Sequence, residues 1–233
     1  MSGLHSASSA AAPGASISER LAAVGAAIGK SARFAGRRPE EVTLIAISKA
    51  RPVGAIRQLL DAGHRVFGEN RVQEAQAKWP ALQTEFPDAR LHLVGQLQTN
   101  KAVDAVALFD AIHAVDRPAL VAAVAAAIAK LGRRPDCFVQ VNIGDEPQKG
   151  GCPVADLPAL LQAARDAALP LAGLMCIPPG GIEPAPYFAL LAKLARRHGL
   201  SGLSMGMSAD YDISITLGAT HVRVGTALFG GSA

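Results

Sequence analysis

Val42-Thr43-Leu44-Ile45-Ala46-Ile47-Ser48-Lys49-Ala50-Arg51-Pro52 is an apolar run that ends on a lysine. Its β-branched and small apolar residues leave neither side of a pleat polar, so it reads as a strand buried on both faces, as in parallel sheets. Lys49 stands where that strand surfaces. Pro52 cannot extend a central strand but suits the first turn of a helix, and Val53–Ala62 carries helical periodicity. The unit is strand, short loop, helix. An amine at the carboxyl end of such a strand lies where parallel α/β folds bind ligands, and when neutral it can condense with a carbonyl. Taken alone, a solvated lysine capping the strand accounts for it better, because the pattern is short.

The alternation continues on both sides. Before the unit, Ser16 followed by Glu19 spells a capping box, and Leu21, Val24, Ile28 and Phe34 place an apolar stripe on the helix that follows. After it, strands are predicted at Arg65–Phe67, Arg90–Val94, Ala111–Val115, Cys137–Val141, Leu171–Met175, Leu203–Met205 and His221–Val224. Helices are predicted at Val72–Leu82, Asn100–Leu108, Pro118–Gly132, Pro153–Ala168 and Pro184–His198, with Asp116 capping the one opened at Pro118. Eight strands alternating with helices, without a compositional break, predict a single (β/α)8 TIM-type barrel with an extra N-terminal helix in preference to a doubly wound sheet. Residues 16–233 make that barrel in this reading, and residues 1–15, mostly Ala, Ser and Gly, read as a disordered tail.

Composition narrows the function classes. The 233 residues suffice for a large core; half are apolar and 4% aromatic. Alanine supplies much of the apolar fraction, which favours closely packed helices over a β-sandwich. The net charge of +4 is spread along the chain without interleaved aromatics, so nucleic acid is not expected as a partner. A small anionic ligand would use a few of these charges. Cys137, Cys152 and Cys176 show no CxxC pairing and no histidine at metal-ligand spacing, and they read as reduced thiols. The start of the chain lacks a cationic segment and an apolar core, and no apolar run approaches the length of a membrane span. A soluble, cytoplasmic monomer without membrane attachment is expected.

In such a barrel the first and eighth strands are neighbours, which puts Lys49 roughly 5 to 10 Å from the loops after strands seven and eight. Those loops contain Ser204-Met205-Gly206-Met207-Ser208-Ala209-Asp210 and His221-Val222-Arg223-Val224-Gly225-Thr226-Ala227, and this fold usually holds a phosphate there. Gly225 lets amides approach an anion, Thr226 adds a hydroxyl and Ser208 can donate from the opposite side. Small residues also simply turn a chain, but two candidate anion loops at the expected strands favour the phosphate. Arg223 alternates with Val222 and Val224 and so points inward, where it either serves a ligand or forms a structural ion pair with an acidic neighbour. Asn70, just after the second strand, can meet a ligand or cap the next helix. His92 shares a face with Val94 and reads as a satisfied core residue, while Met175, Met205 and Met207 read as core packing. Gly144–Gly151, with Lys149, is a solvated loop or a lid.

Taken together, Ile47-Ser48-Lys49, Phe67-Gly68-Glu69-Asn70 with Val72-Gln73-Glu74, Leu97-Gln98-Thr99-Asn100-Lys101, Gly173-Leu174-Met175, and the two loops above from Leu203 and from Gly218 resemble the pyridoxal 5'-phosphate homeostasis protein family. These are small PLP-binding proteins related in fold to the N-terminal domain of alanine racemase. The resemblance covers nearly everything after the tail. It implies that Lys49 carries PLP as an internal aldimine, with Ser208, Gly225 and Thr226 at the phosphate, Arg223 near the pyridine nitrogen and Asn70 close to the ring. It also implies a role in intracellular PLP homeostasis without established turnover, with apo-PLP enzymes as partners. The sequence departs from the family pattern at Gln96, where a proline commonly stands, and at Gly150-Gly151-Cys152-Pro153 in the polar loop.

Two enzymatic alternatives compete with the carrier. A PLP-dependent racemase needs a second base, which the related fold takes from a further domain and a partner subunit. The chain as read stops just after the eighth strand, and Tyr187 and Tyr211, its only tyrosines, fall on helical segments. A Schiff-base aldolase needs an acid/base pair beside its lysine, and no paired carboxylates stand inward of the strand ends. An arginine beside a pyridine nitrogen disfavours its protonation and weakens the ring as an electron sink. The carrier is the expected function.

Overall fold

The computed structural model describes residues 14–230; the greater part of the expected tail, residues 1–13, lies outside the described residues. Helix α1 (Ile17–Phe34) is opened by Ser16, whose hydroxyl accepts from the Glu19 amide while Glu19 reaches back to the Ser16 amide, the capping box read from the sequence. Eight parallel strands follow: β1 (Thr43–Ile47), β2 (Val66–Glu69), β3 (Arg90–Leu93), β4 (Ala111–Val115), β5 (Asp136–Asn142), β6 (Leu171–Cys176), β7 (Gly202–Met207) and β8 (His221–Val224). Each pairs with the next, and β8 pairs with β1 in the register Thr43↔His221, Leu44↔Val222, Ile45↔Arg223, Ala46↔Val224. The sheet therefore closes into the expected (β/α)8 barrel. Cys152–Pro153 adds a two-residue strand to the carboxyl end of β5, continuing its pairing past the end of β4.

Between the strands run α2 (Val53–Asp61), α3 (Val72–Glu85), α4 (Ala102–Leu108), α5 (Pro118–Leu131), α6 (Leu157–Asp166), α7 (Ala185–Arg197) and α8 (Tyr211–Thr216); α9 (Thr226–Phe229) follows β8. Because α8 and α9 are short, they cover little of the outside of β8 and β1. Helix α1 packs against α8, α9 and α2 and closes that gap with Val24, Ile28 and Ala32. Phe34 takes no part in this and is 85% exposed. It lies six residues beyond Ile28, about 240° round the helix, whereas Ala32 falls on the buried face. Asp116 likewise does not cap α5: the cap position is Arg117, and the Asp116 carboxylate pairs with the Arg117 guanidinium.

Strand alternation divides the core into two layers. Outward residues such as Phe67, Leu91, Leu93, Val139, Leu174, Val222 and Val224 join the helices' Trp79, Phe109, Phe188 and Leu59 in one continuous apolar shell. The barrel axis is polar by contrast, with His92, His113, Gln140, Ser204 and Arg223 all buried. Among the described residues no helix is long and apolar enough to cross a membrane, and no His/Cys/Asp/Glu group is arranged to hold a metal.

All three cysteines are free and buried, and burial, before any neighbouring charge, pushes each thiol up to about 12. The folded protein should therefore show no reaction with a disulfide reagent at mildly alkaline pH, where an ordinary thiol with a pKa near ~8.5 is partly ionised. All three thiols should react after unfolding in urea; rapid labelling of any one in the native state would contradict this burial.

Candidate functional site

At the carboxyl ends of the strands the barrel opens into a cavity of about 870 Å³. Lys49, Asn70, Ser208, Arg223, Gly225 and Thr226 all border it, so closure gathers the six residues singled out in the sequence. Ile47, Val94, Ile177, Met207 and Ala209 give it apolar surface, which sequence reasoning did not foresee. Met205 and Met175 are buried as expected, but Met207 is 39% exposed on the cavity wall instead of packed in the core. The cause is Gly206. Its φ of 91° interrupts the strand alternation, pairing shifts register between Ser204 and Met207, and a Cβ at Gly206 would overlap the Ser214 hydroxyl.

Lys49 is exposed to this cavity and has no hydrogen-bond or ion-pair partner among the described residues. The backbone on either side of it is fastened from the end of β2 and from α3. Ahead of it, the buried Ser48 hydroxyl donates to Glu69 Oε1 at 2.7 Å, and Lys78 Nζ donates to the Ser48 carbonyl at 2.9 Å. Behind it, the Ala50 amide donates to Glu74 Oε1 at 2.6 Å, holding Ala50 at a left-handed φ of 55°. An L-residue pays about 1–2 kcal/mol for that conformation, so the carboxylate helps to maintain it. Lys78 bridges the two acids, 2.7 Å from Glu69 and 2.8 Å from Glu74, and Trp79 Nε1 adds a third donor to Glu69 at 3.1 Å. Glu69 Oε2 is buried without a partner. The i,i+4 spacing of Glu74 and Lys78 was readable in the sequence; that the pair grips the lysine loop was not.

The two loops expected to take an anion touch each other, the Gly225 amide donating to Ser208 Oγ at 3.3 Å. Thr226 opens α9, whose first amides have no carbonyl one turn earlier, so hydroxyls and open N–H groups lie together at this corner. Arg223 is buried, and its N–H groups donate to Ser204 Oγ at 2.8 Å and to the Cys176 carbonyl at 2.9 Å. It makes no ion pair with any described carboxylate, so the structural ion pair that the sequence also allows is not formed. Burial, ahead of the opposing effects of Cys176 and Asp210, lowers its pKa. Asn70 does not cap α3, whose cap position is Arg71.

The polar loop is tied down. Asn142 bonds both the amide and the carbonyl of Glu146, and Lys149 pairs with Glu146 at 2.6 Å while donating to the Pro178 carbonyl. Lys101 pairs with Asp104, and neither Lys101 nor Lys149 borders the cavity. Gln96 packs directly over Gly150, where any Cβ would collide with its amide. The two departures from the family pattern thus fit each other.

The model of the family described as alanine racemase, N-terminal domain, matches residues 21–233. The chain is 41% identical over 223 residues to the pyridoxal phosphate homeostasis protein of Pseudomonas aeruginosa, with 92% of this chain and 95% of that one covered. It is 38% identical over 232 residues to the Escherichia coli K12 protein of the same name, at 92% and 96% coverage. Among solved structures, PipY of Synechococcus elongatus PCC7942 with PLP bound is 42% identical, with a TM-score of 0.76 over 92% of this chain and 100% of that one.

Glu74→Ala should destabilise the protein by about 1 kcal/mol, the worth of its hydrogen bonds at a half-buried site, and should slow covalent modification of Lys49 by an aldehyde. Burial tends to raise the Glu74 carboxyl, but Lys78 and the Ala50 amide outweigh it and hold it below its ordinary 4.5. A group held low contributes stability above its unfolded pKa and loses it as pH falls through the folded value. The difference between variant and unmutated protein, measured by urea unfolding, should thus shrink below pH 4.5. An unchanged difference there would mean the carboxylate is not the clamp.

Proposed function

The chain belongs to the pyridoxal phosphate homeostasis protein family and carries the alanine racemase N-terminal domain, and from that membership we propose that its upper cavity holds PLP for intracellular homeostasis, without catalytic turnover. One observation carries the reading: an unpaired amine, a corner of open amides and hydroxyls, and a buried guanidinium border a single cavity. PLP brings an aldehyde that condenses with amines and a ring that can draw electrons from the atom it holds.

Lys49 Nζ would bond the aldehyde carbon, with loss of water. The Ser208 and Thr226 hydroxyls and the open amide of Thr226, beside Gly225, would grip the phosphate, each charge-assisted contact contributing about 1.5–3 kcal/mol. Asn70 would meet the ring hydroxyl. Arg223 would offer N–H donors to the pyridine nitrogen, which would keep a proton off it and leave the ring a poor electron sink. Tyr187 lies on α7 and Tyr211 is buried at the start of α8, so neither described tyrosine borders the cavity as a second base. These features favour holding over racemase-like chemistry. In this reading residues 16–233 are the PLP-binding barrel, acting as a monomer in the cytoplasm, where reduced thiols persist, and passing PLP to apo-enzymes through the open mouth beside Met207.

The protein incubated with PLP should turn yellow, and borohydride followed by peptide mapping should find the pyridoxyl group on Lys49. Lys49→Ala should stay folded and colourless; a label on Lys101 or Lys149 in the unmutated protein would sink the assignment.

Turnover is checked separately. Incubation of the PLP-loaded protein with each amino acid in deuterated water should give Cα deuterium incorporation no faster than free PLP gives. Faster incorporation that disappears in Lys49→Ala would establish an enzyme.

A further inference from the structure

Below the upper cavity the barrel axis holds three polar side chains that the reading above leaves without a task. They stand in line with Arg223. Its guanidinium lies 2.8 Å from Ser204 Oγ, Ser204 Oγ lies 2.8 Å from His113 Nδ1, and His113 Nε2 lies 3.0 Å from His92 Nδ1. Ser204 and His113 are fully buried, and Phe138 stacks on the His113 ring at 4.3 Å, shielding one face from water. At the far end His92 borders a second cavity, about 400 Å³, among the amino ends of the strands, beside Arg90, Arg133 and Arg134.

The arginine dictates where every hydrogen in this line sits. A guanidinium only donates, so Ser204 Oγ must accept from it. The hydroxyl's own hydrogen then has one acceptor among the described residues, His113 Nδ1. A neutral His113 that accepts on Nδ1 carries its hydrogen on Nε2 and donates to His92 Nδ1, so His92 carries its hydrogen on Nε2, at the lower cavity. The reverse order would leave the Ser204 hydrogen unpaired in a dry interior. Both rings stay neutral: burial first, then His221 and Arg90, lowers His92 to about 3, and burial, then His92, His221 and Arg223, holds His113 well below 6.5.

We propose that Ser204, His113 and His92 are positioning residues acting through Arg223, a one-way hydrogen-bond chain that fixes the plane of the guanidinium and keeps its remaining N–H groups turned to the cofactor's ring. The role rests on the reading that the upper cavity takes PLP; the direction of the chain does not. Both partners of Arg223 are neutral, so its charge is not cancelled, and the orientation of the plane decides where its donors act. Successive bonds in one direction polarise one another and strengthen that hold.

The direction is tested by nitrogen-15 NMR of the full-length protein without cofactor, near neutral pH. His113 and His92 should both be the Nε2–H tautomer; an Nδ1–H form at either overturns the chain. The role is tested on the PLP-loaded protein with His113→Leu, His113→Asn and Ser204→Ala. Asn Oδ1 can take the place of Nδ1 and accept the Ser204 hydrogen, which Leu cannot. The pyridine-nitrogen resonance and the visible band should shift in His113→Leu and Ser204→Ala and return in His113→Asn. PLP release should be about tenfold faster in the first two, as for one weakened charge-assisted hydrogen bond. Identical spectra and release rates in all variants would overturn the positioning role. An unmutated protein that forms no chromophore would overturn it together with the reading of the upper cavity, while the tautomers would still decide the chain.

Discussion

The pairing of β1 with β8 is the constraint on which the site depends. It begins at the Thr43 amide, which donates to the Thr220 carbonyl at 2.7 Å, and runs from Thr43↔His221 to Ala46↔Val224. Strands in hydrogen-bonded register lie about 4.8 Å apart, so residues that follow them at the same end are forced into one mouth. That puts Lys49, Gly225 and Thr226 on the wall of one cavity. The seam is covered from outside by α1, and Arg37, just beyond that helix, donates to the carbonyls of Ile215 and Ala219. The helix that precedes the barrel thus secures its closure.

Two buried charges are handled in opposite ways. Glu69 faces the helical shell and is given a cation, Lys78, plus two further donors, so its carboxylate is compensated and becomes a fixed point for the chain around Lys49. Removing one partner of such a pair costs several kcal/mol, because the other charge is left buried. Arg223 faces the barrel axis and receives only a hydroxyl and a carbonyl. One charge is anchored in the scaffold; the other borders the cavity without a carboxylate partner among the described residues. The difference follows from strand alternation, which turns Glu69 outward and Arg223 inward.

The cavity wall is also more apolar than its polar residues suggest. Val94, Ile177 and Met207 line it together with Ser208, Gly225 and Thr226, so its wall carries both apolar and hydrogen-bonding surface. Met207 reaches that wall where Gly206 takes a positive φ, and the Gln96 amide lies over Gly150 in space that a Cβ would occupy.

The alternation of apolar strand and helix, the capping box at Ser16 and the inward side of β8 were legible in the sequence, because each depends on spacing along the chain alone: a period of two for strands, three to four for helices. Lys49, Asn70, Ser208, Arg223, Gly225 and Thr226 were legible as candidates for a related reason, since the fold class fixes which strand ends meet. Phe34 falls off the buried stripe because it stands about 240° round the helix from Ile28. Met207, the Glu69–Lys78–Glu74 clamp and the partners of Arg223 were decided by the tertiary structure. Each depends on a glycine's φ, a strand register or a helix docking against a loop, and those are settled by contacts between residues far apart in the chain, on which local spacing carries no information.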